Sequence, residues 1–186
     1  MVVAWRMVRE EGTEALTLGR LSEQAGVTKP VVYDHFGTRA GLLAALYREF
    51  DARQTVLMDA ALEQNDVTLT GRATVIADSY VDCVLAQGRE IPGVIAALAS
   101  SPELEKVKRE CEAAFMEKCR SALAPFAQSG ALLPASLRAM LGAAEALSYA
   151  AVTGEITPAE AKAELFEVIV AMVGRSRGGR DTAPKR

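Results

Sequence analysis

The 186-residue chain is 50% apolar, 24% charged and only 5% aromatic, a balance that suits a globular protein with a sizeable core and argues against disorder. A single histidine excludes His-rich metal sites, the three cysteines form no CxxC pair, and no apolar run reaches the roughly 18 residues of a membrane helix. The net charge of −3 averages unlike parts: residues 1–50 carry six Lys/Arg against six Asp/Glu, residues 51–174 ten against seventeen, and residues 175–186 five against one.

In chain order the segments read as helix throughout, because Ala, Leu, Glu, Lys, Arg and Met dominate and no alternating apolar/polar strand is bounded by turns. The first helix carries Met1, Ala4, Trp5 and Val8 on one face and stops at Gly12. A second runs from Leu18 to Ala25 behind the N-cap Thr17. Gly26-Val27 makes a tight turn, and Thr28 caps a short third helix that tolerates Pro30 in its first turn and ends near His35-Phe36. Thr38 caps a long fourth helix bearing Leu42, Leu43, Leu46, Tyr47 and Phe50. Further helices are expected near 70–88, 94–100, 103–128, 135–153 and 158–174. The breaks between them fall at Asn65 to Thr70, Ile91-Pro92-Gly93, Ser101-Pro102, Ser129-Gly130, Pro134, Gly154 and Pro158. The chain is therefore expected to be all-α, with about nine helices and a disordered basic tail at 175–186.

Helix, glycine turn, helix at 18–35 is the pattern of a helix-turn-helix. Leu18, Leu21, Ala25, Val27 and Val32 can share a small core, with Gly26 supplying the backbone angles of the turn. Thr28, Lys29 and Val31 are then free to reach base edges in a major groove, while Tyr33, His35 and Arg39 can bond phosphates beside the amides at the Thr38 cap.

Together with Gly12-Thr13 and Thr17-Leu18, the stretch LSEQAGVTKPVVYDHFGTRAGLL resembles the DNA-binding domain of TetR-family transcriptional regulators. The matching positions are Ala25-Gly26-Val27, Thr28, Val32-Tyr33, His35-Phe36, Thr38-Arg39 and Leu42-Leu43. The resemblance covers about residues 1–50, and beyond them only helix count and length agree. It implies a DNA-binding domain at 1–48 and an effector-binding and dimerisation domain at 49–174. The DNA-binding residues it implies are Thr17, Thr28, Lys29, Pro30, Val31, Tyr33, His35, Thr38 and Arg39. Two features depart from the family pattern: Arg39 stands where Lys is usual, and Asp34 puts a negative charge on the recognition helix. The chain also starts inside the first helix without the family's basic lead-in, so either its start is assigned late or its phosphate contacts are fewer.

The resemblance further implies an effector pocket in the C-terminal bundle. Tyr80, Cys83, Val84, Gln87, Ile95, Cys111, Phe115, Met116, Met140, Glu145 and Tyr149 are candidates to line it, a set suited to a small, mainly apolar molecule, although the same spacing describes an ordinary helical core. Gln87, Glu145 and Tyr149 are its polar members. Ala139, Gly142, Ala143, Ala146 and Ala150 form a small-residue face, and Leu165, Val168, Ile169, Met172 and Val173 an apolar stripe. Both suit a homodimer interface that would set two recognition helices about one DNA turn apart on a palindromic operator. Cys111 and Cys119 lie eight residues apart on one helix, about 12 Å by helix rise, too far to pair, and are expected as buried thiols.

The expected protein is thus a cytoplasmic repressor without enzymatic activity, metal or cofactor, released from double-stranded DNA by a small ligand. A ligand-independent repressor or an activator is the alternative within regulation. An enzymatic module is disfavoured by the lack of a second histidine, of CxxC and of any phosphate loop, and a purely structural protein would show no salt-dependent DNA binding.

Overall fold

The computed structural model describes residues 1–87, 90–99, 101–127 and 132–178. Among them the chain forms α1 (Val2–Glu11), α2 (Leu18–Ala25), α3 (Lys29–Phe36), α4 (Arg39–Gln64), α5 (Leu69–Gln87), α6 (Glu90–Leu98), α7 (Pro102–Leu123), α8 (Pro134–Thr153) and α9 (Pro158–Gly178), with 3-10 turns at Thr13–Ala15 and Ala124–Phe126 and no strand. Two expectations about these boundaries change. Ile91-Pro92-Gly93 does not break a helix but opens α6, because proline is tolerated in a first turn whose amides have no intrahelical partner. Arg175 to Gly178 continue α9 where a disordered tail was expected; residues 179–186 and the Ser129-Gly130 break lie outside the described residues.

The chain divides into two compact units, Met1–Arg53 with Gln87–Cys111, and Gln54–Ala86 with Glu112–Arg186. This differs from a simple split after residue 48, because α6 packs against α1 and the Thr13–Ala15 turn and so belongs with the N-terminal helices.

In the first unit α1 buries Ala4, Trp5, Met7 and Val8, and its Met1 remains partly exposed. The Trp5 indole N–H donates to Glu49 Oε2 at 3.1 Å, and the Arg53 guanidinium lies 5.7 Å from its ring centroid. Gly12 (φ 80°) ends α1, and Gly26 (φ 66°, ψ 28°) makes the left-handed turn between α2 and α3. Leu18, Leu21 and Val32 are buried as expected, whereas Ala25 and Val27 are exposed. The turn carries those two side chains outward, and the core is completed instead by Leu16, Leu42, Leu43 and Leu46.

The second unit has a core of Met58 from α4, Ile76 and Val81 from α5, Cys119 and Leu123 from α7, Met140 and Ala144 from α8, and Leu165, Ile169, Met172 and Val173 from α9. Those four α9 residues, expected at a dimer interface, are thus spent inside their own chain, each no more than 2% exposed; Val168 is half-buried. Ion pairs tie the helices at their margins: Lys162 Nζ lies 2.7 Å from Asp82, joining α9 to α5, and the buried Glu112 pairs with Arg138, joining α7 to α8. Thr157 and Glu160 form a reciprocal capping box at the start of α9, with Thr157 N–H to Glu160 Oε2 at 2.7 Å and Glu160 N–H to Thr157 Oγ1 at 3.2 Å.

All three cysteines are buried and free. Burial, reinforced by the neighbouring Asp51 carboxylate, pushes the Cys111 thiol up to about 12, and burial pushes Cys119 well above the usual thiol range. A proton held more tightly by the native state stabilises it fully below the unfolded thiol value near 8.5. That contribution is lost as pH rises from about 9 towards 12. In a Cys83→Ala background the native protein is therefore expected to resist iodoacetamide at pH 8 and to react fully once denatured. Alkylation of native Cys111 or Cys119 as fast as a free thiol would overturn this. Cys111→Ala should also flatten the fall in thermal midpoint between pH 9 and 11.

Candidate nucleic-acid interface

Helix α3 is almost bare. Val32, 4% exposed, is its buried anchor and Phe36 is half-buried, while Lys29, Pro30, Val31, Tyr33, Asp34 and His35 are all exposed. Val31 is 57% exposed and Tyr33 49%. A helix that buries so little gains almost nothing from its own chain, and the apolar groups it shows to water are held there by the turns on either side. The left-handed Gly26 turns the chain out of α2, Thr28 precedes α3 in extended conformation, and Gly37 (φ 67°) ends it. Thr28 occupies the N-cap position, but its side chain makes no capping hydrogen bond and stays exposed with Lys29. Beside the Asp34 carboxylate and the His35 ring, this leaves one cation (Lys29), two hydroxyls (Thr28 and Tyr33) and the apolar Pro30 and Val31 along a short exposed helix. They are the group types that meet guanine acceptors, phosphates and thymine methyls in a major groove.

Flanking positions fall into two kinds. Thr17 and Thr38 serve as N-caps, with Thr17 Oγ1 accepting from Arg20 N–H at 3.3 Å and Thr38 Oγ1 from Gly41 N–H at 3.0 Å. Both remain exposed, so their hydroxyls can still donate to a phosphate at a helix N-terminus. His35 is exposed, its ring 4.5 Å from that of Phe36 in an edge-to-face contact. Arg39 stands apart from the expected phosphate contacts. Its guanidinium donates from Nε to the Leu16 carbonyl at 3.0 Å and from Nη2 to the Thr13 carbonyl at 2.7 Å.

The residues expected to line an effector pocket divide between the two units. Ile95 and Cys111 belong to the first unit, and the side chain of Gln87 lies outside the described residues. In the second unit Tyr80 and Phe115 have ring centroids 5.3 Å apart, Cys83, Val84 and Met140 are buried, Met116 and Glu145 are half-buried, and Tyr149 is 56% exposed. Among the described residues of that unit, one cleft of about 320 Å³ is bordered by Met116, Leu132, Leu137 and Arg138. Another, of about 530 Å³, is bordered by Leu62, Val67, Arg72 and Lys118. Sequence reasoning missed Gln54 and Ser148, whose Nε2 and Oγ atoms are buried without a hydrogen-bond partner. A polar residue at a core-facing helical position was the available signal.

Residues 1–46 match the model of the bacterial regulatory proteins of the tetR family. They form a tetR-family domain. The matched segment spans α1 to α3 and the start of α4, the helices that present the bare face of α3. Solved structures resemble the chain over nearly its whole length. A TetR-family transcriptional regulator from Streptomyces coelicolor aligns over 95% of this chain and 93% of its own with TM-score 0.71 and 18% identity. A TetR transcription regulator from Haloarcula marismortui aligns over 94% of each chain with TM-score 0.70 and 15% identity. The fatty acid degradation regulator FadR from Bacillus halodurans aligns over 98% and 94% with TM-score 0.68 and 14% identity. At these identities the likeness lies in the fold. No curated protein sequence matches the chain. Among the described residues the fold is thus all-helical and similar to that of these structures, with the family match confined to its N-terminal helices. No helix among the described residues is long and apolar enough to cross a membrane, and no group of three or more potential ligands among them is placed to hold a metal ion.

Proposed function

We propose that the protein is a homodimeric transcriptional repressor that reads a palindromic operator with α3 and is released by a small, mainly apolar ligand bound in its second unit. The exposure of α3 carries this reading: Lys29, Val31 and Tyr33 face solvent on a helix that only Val32 fully anchors. Dimerisation is supported by the outer face of α8, where Ala139, Gly142 and Ala146 are exposed and Ala143 and Ala150 half-buried, so that a second copy could approach closely. Ligand binding is supported by the buried, unpartnered groups of Gln54 and Ser148, each of which costs stability unless something bonds it.

Fluorescence anisotropy with a labelled duplex from the region upstream of the gene, combined with light scattering of the complex, tests the reading. The expected result is a complex of two chains per duplex whose association constant falls linearly with salt on a double-logarithmic plot. Binding that is absent, or indifferent to salt between 50 and 200 mM, would sink it.

A further inference from the structure

The segment 12–17 that joins α1 to α2 is held by two arginines. From α2, Arg20 donates through Nη1 to the Ala15 carbonyl at 3.1 Å and through Nη2 to Glu11 Oε2 at 2.6 Å. From the first residue of α4, Arg39 donates to the Leu16 carbonyl at 3.0 Å and the Thr13 carbonyl at 2.7 Å, with a longer 3.4 Å contact to the exposed Glu14 carboxylate. The carbonyls of residues 13, 15 and 16 therefore each accept from a guanidinium. Leu16, whose carbonyl is one of these anchors, is fully buried. Arg39 follows α3 by only two residues, and its partners immediately precede α2. One side chain thus fastens together the starts of the two helices that bracket α3.

We propose that Arg39 is a positioning residue for DNA binding: it locks the α1–α2 connector to the start of α4 and so fixes how α3 is presented, and it does not itself neutralise a phosphate. The proposal rests on the DNA-binding reading above. Its chemistry requires arginine. A planar fork bonds two separate carbonyls at once, whereas a lysine ammonium is a point charge on a flexible stem. A phosphate, by contrast, accepts either cation.

Two measurements on Arg39→Lys and Arg39→Gln separate the roles. In the first, hydrogen exchange of the free protein, both variants are expected to exchange the amides of residues 13–18 about tenfold faster than the wild type. In the second, anisotropy with the same labelled duplex, both are expected to bind about tenfold more weakly with an unchanged salt slope. If Arg39 were a phosphate contact, Arg39→Lys would keep its affinity, and Arg39→Gln would lose about one unit of slope. That pattern, or unaltered exchange at 13–18 in both variants, overturns the proposal. A wild type that fails to bind duplex in a salt-dependent way overturns the DNA reading instead, and the exchange measurement still decides whether the clamp exists.

Discussion

Gly41→Ala is expected to lower the thermal midpoint by roughly 6–12 °C, from a loss of about 3 kcal/mol. The chain turns sharply between α3 and α4, where the Thr38 N–H bonds the carbonyl of Phe36 at 2.7 Å. That turn swings the Phe36 oxygen over the third residue of α4. A Cβ on Gly41 would lie 2.0 Å from it and 3.2 Å from the Phe36 carbonyl carbon. The obstacle is backbone, so no side-chain rotation relieves it, and either the turn opens or Thr38 loses its cap to the Gly41 amide. The same device recurs at the start of α5. Thr68 N–H bonds the Asp66 carbonyl at 2.9 Å, Thr68 Oγ1 caps Gly71, and a Cβ on Gly71 would lie 2.6 Å from the Asp66 oxygen. Gly174, inside α9 with nothing within 4 Å of an added Cβ, provides the control, and alanine there should be neutral or stabilising by up to about 1 kcal/mol. Thermal melts of the three variants test the account. A Gly41→Ala midpoint within about 1 °C of wild type would refute it.

If α3 reads DNA as proposed, Lys29→Ala and Tyr33→Ala are each expected to weaken binding to the labelled duplex by about 1–3 kcal/mol, roughly 5- to 150-fold, with an unchanged melting curve. Neither side chain is buried, and Val32, which anchors α3, is left intact. Tyr33→Phe divides the tyrosine contribution. Loss of affinity confined to Tyr33→Ala assigns the ring, and equal loss in both variants assigns the hydroxyl. Unchanged affinity in Lys29→Ala and Tyr33→Ala together would remove α3 from the interface. Gel shift or anisotropy, with circular dichroism to confirm the fold, is sufficient.

How far the sequence could be read depends on whether the deciding interaction is local. The bounds of α2 and α3 were legible because Thr17, Gly26 and Gly37 act within a few residues of themselves: a hydroxyl caps an amide three residues on, and glycine admits a positive φ. Residue pattern also placed the buried face of early α4, and Ala4, Trp5 and Val8 of α1, although it counted the exposed Met1 and missed the buried Met7. Periodicity was silent on which partner covers an apolar stripe. Leu165, Ile169, Met172 and Val173 suit a partner chain or their own core equally well, and only the packed fold assigns them to the core. Likewise Ala25 and Val27 share the helix-turn-helix pattern with buried neighbours but emerge on the outside of the turn.

The amino-acid sequence alone therefore determined an all-helical chain with a short glycine-bounded third helix near its N-terminus, because caps, turns and helix propensity are short-range. Charge patterning along it likewise distinguished a neutral head from an acidic body. The tertiary structure decided where long side chains point and which segments share a unit. It grouped α6 with the N-terminal helices, left Gln54 Nε2 and Ser148 Oγ buried without a hydrogen bond, and turned Arg39 towards carbonyls 23 and 26 residues away in sequence. A guanidinium's choice between solvent phosphate and protein carbonyl depends on which acceptors the fold brings within about 3 Å, and the order of residues does not contain that distance.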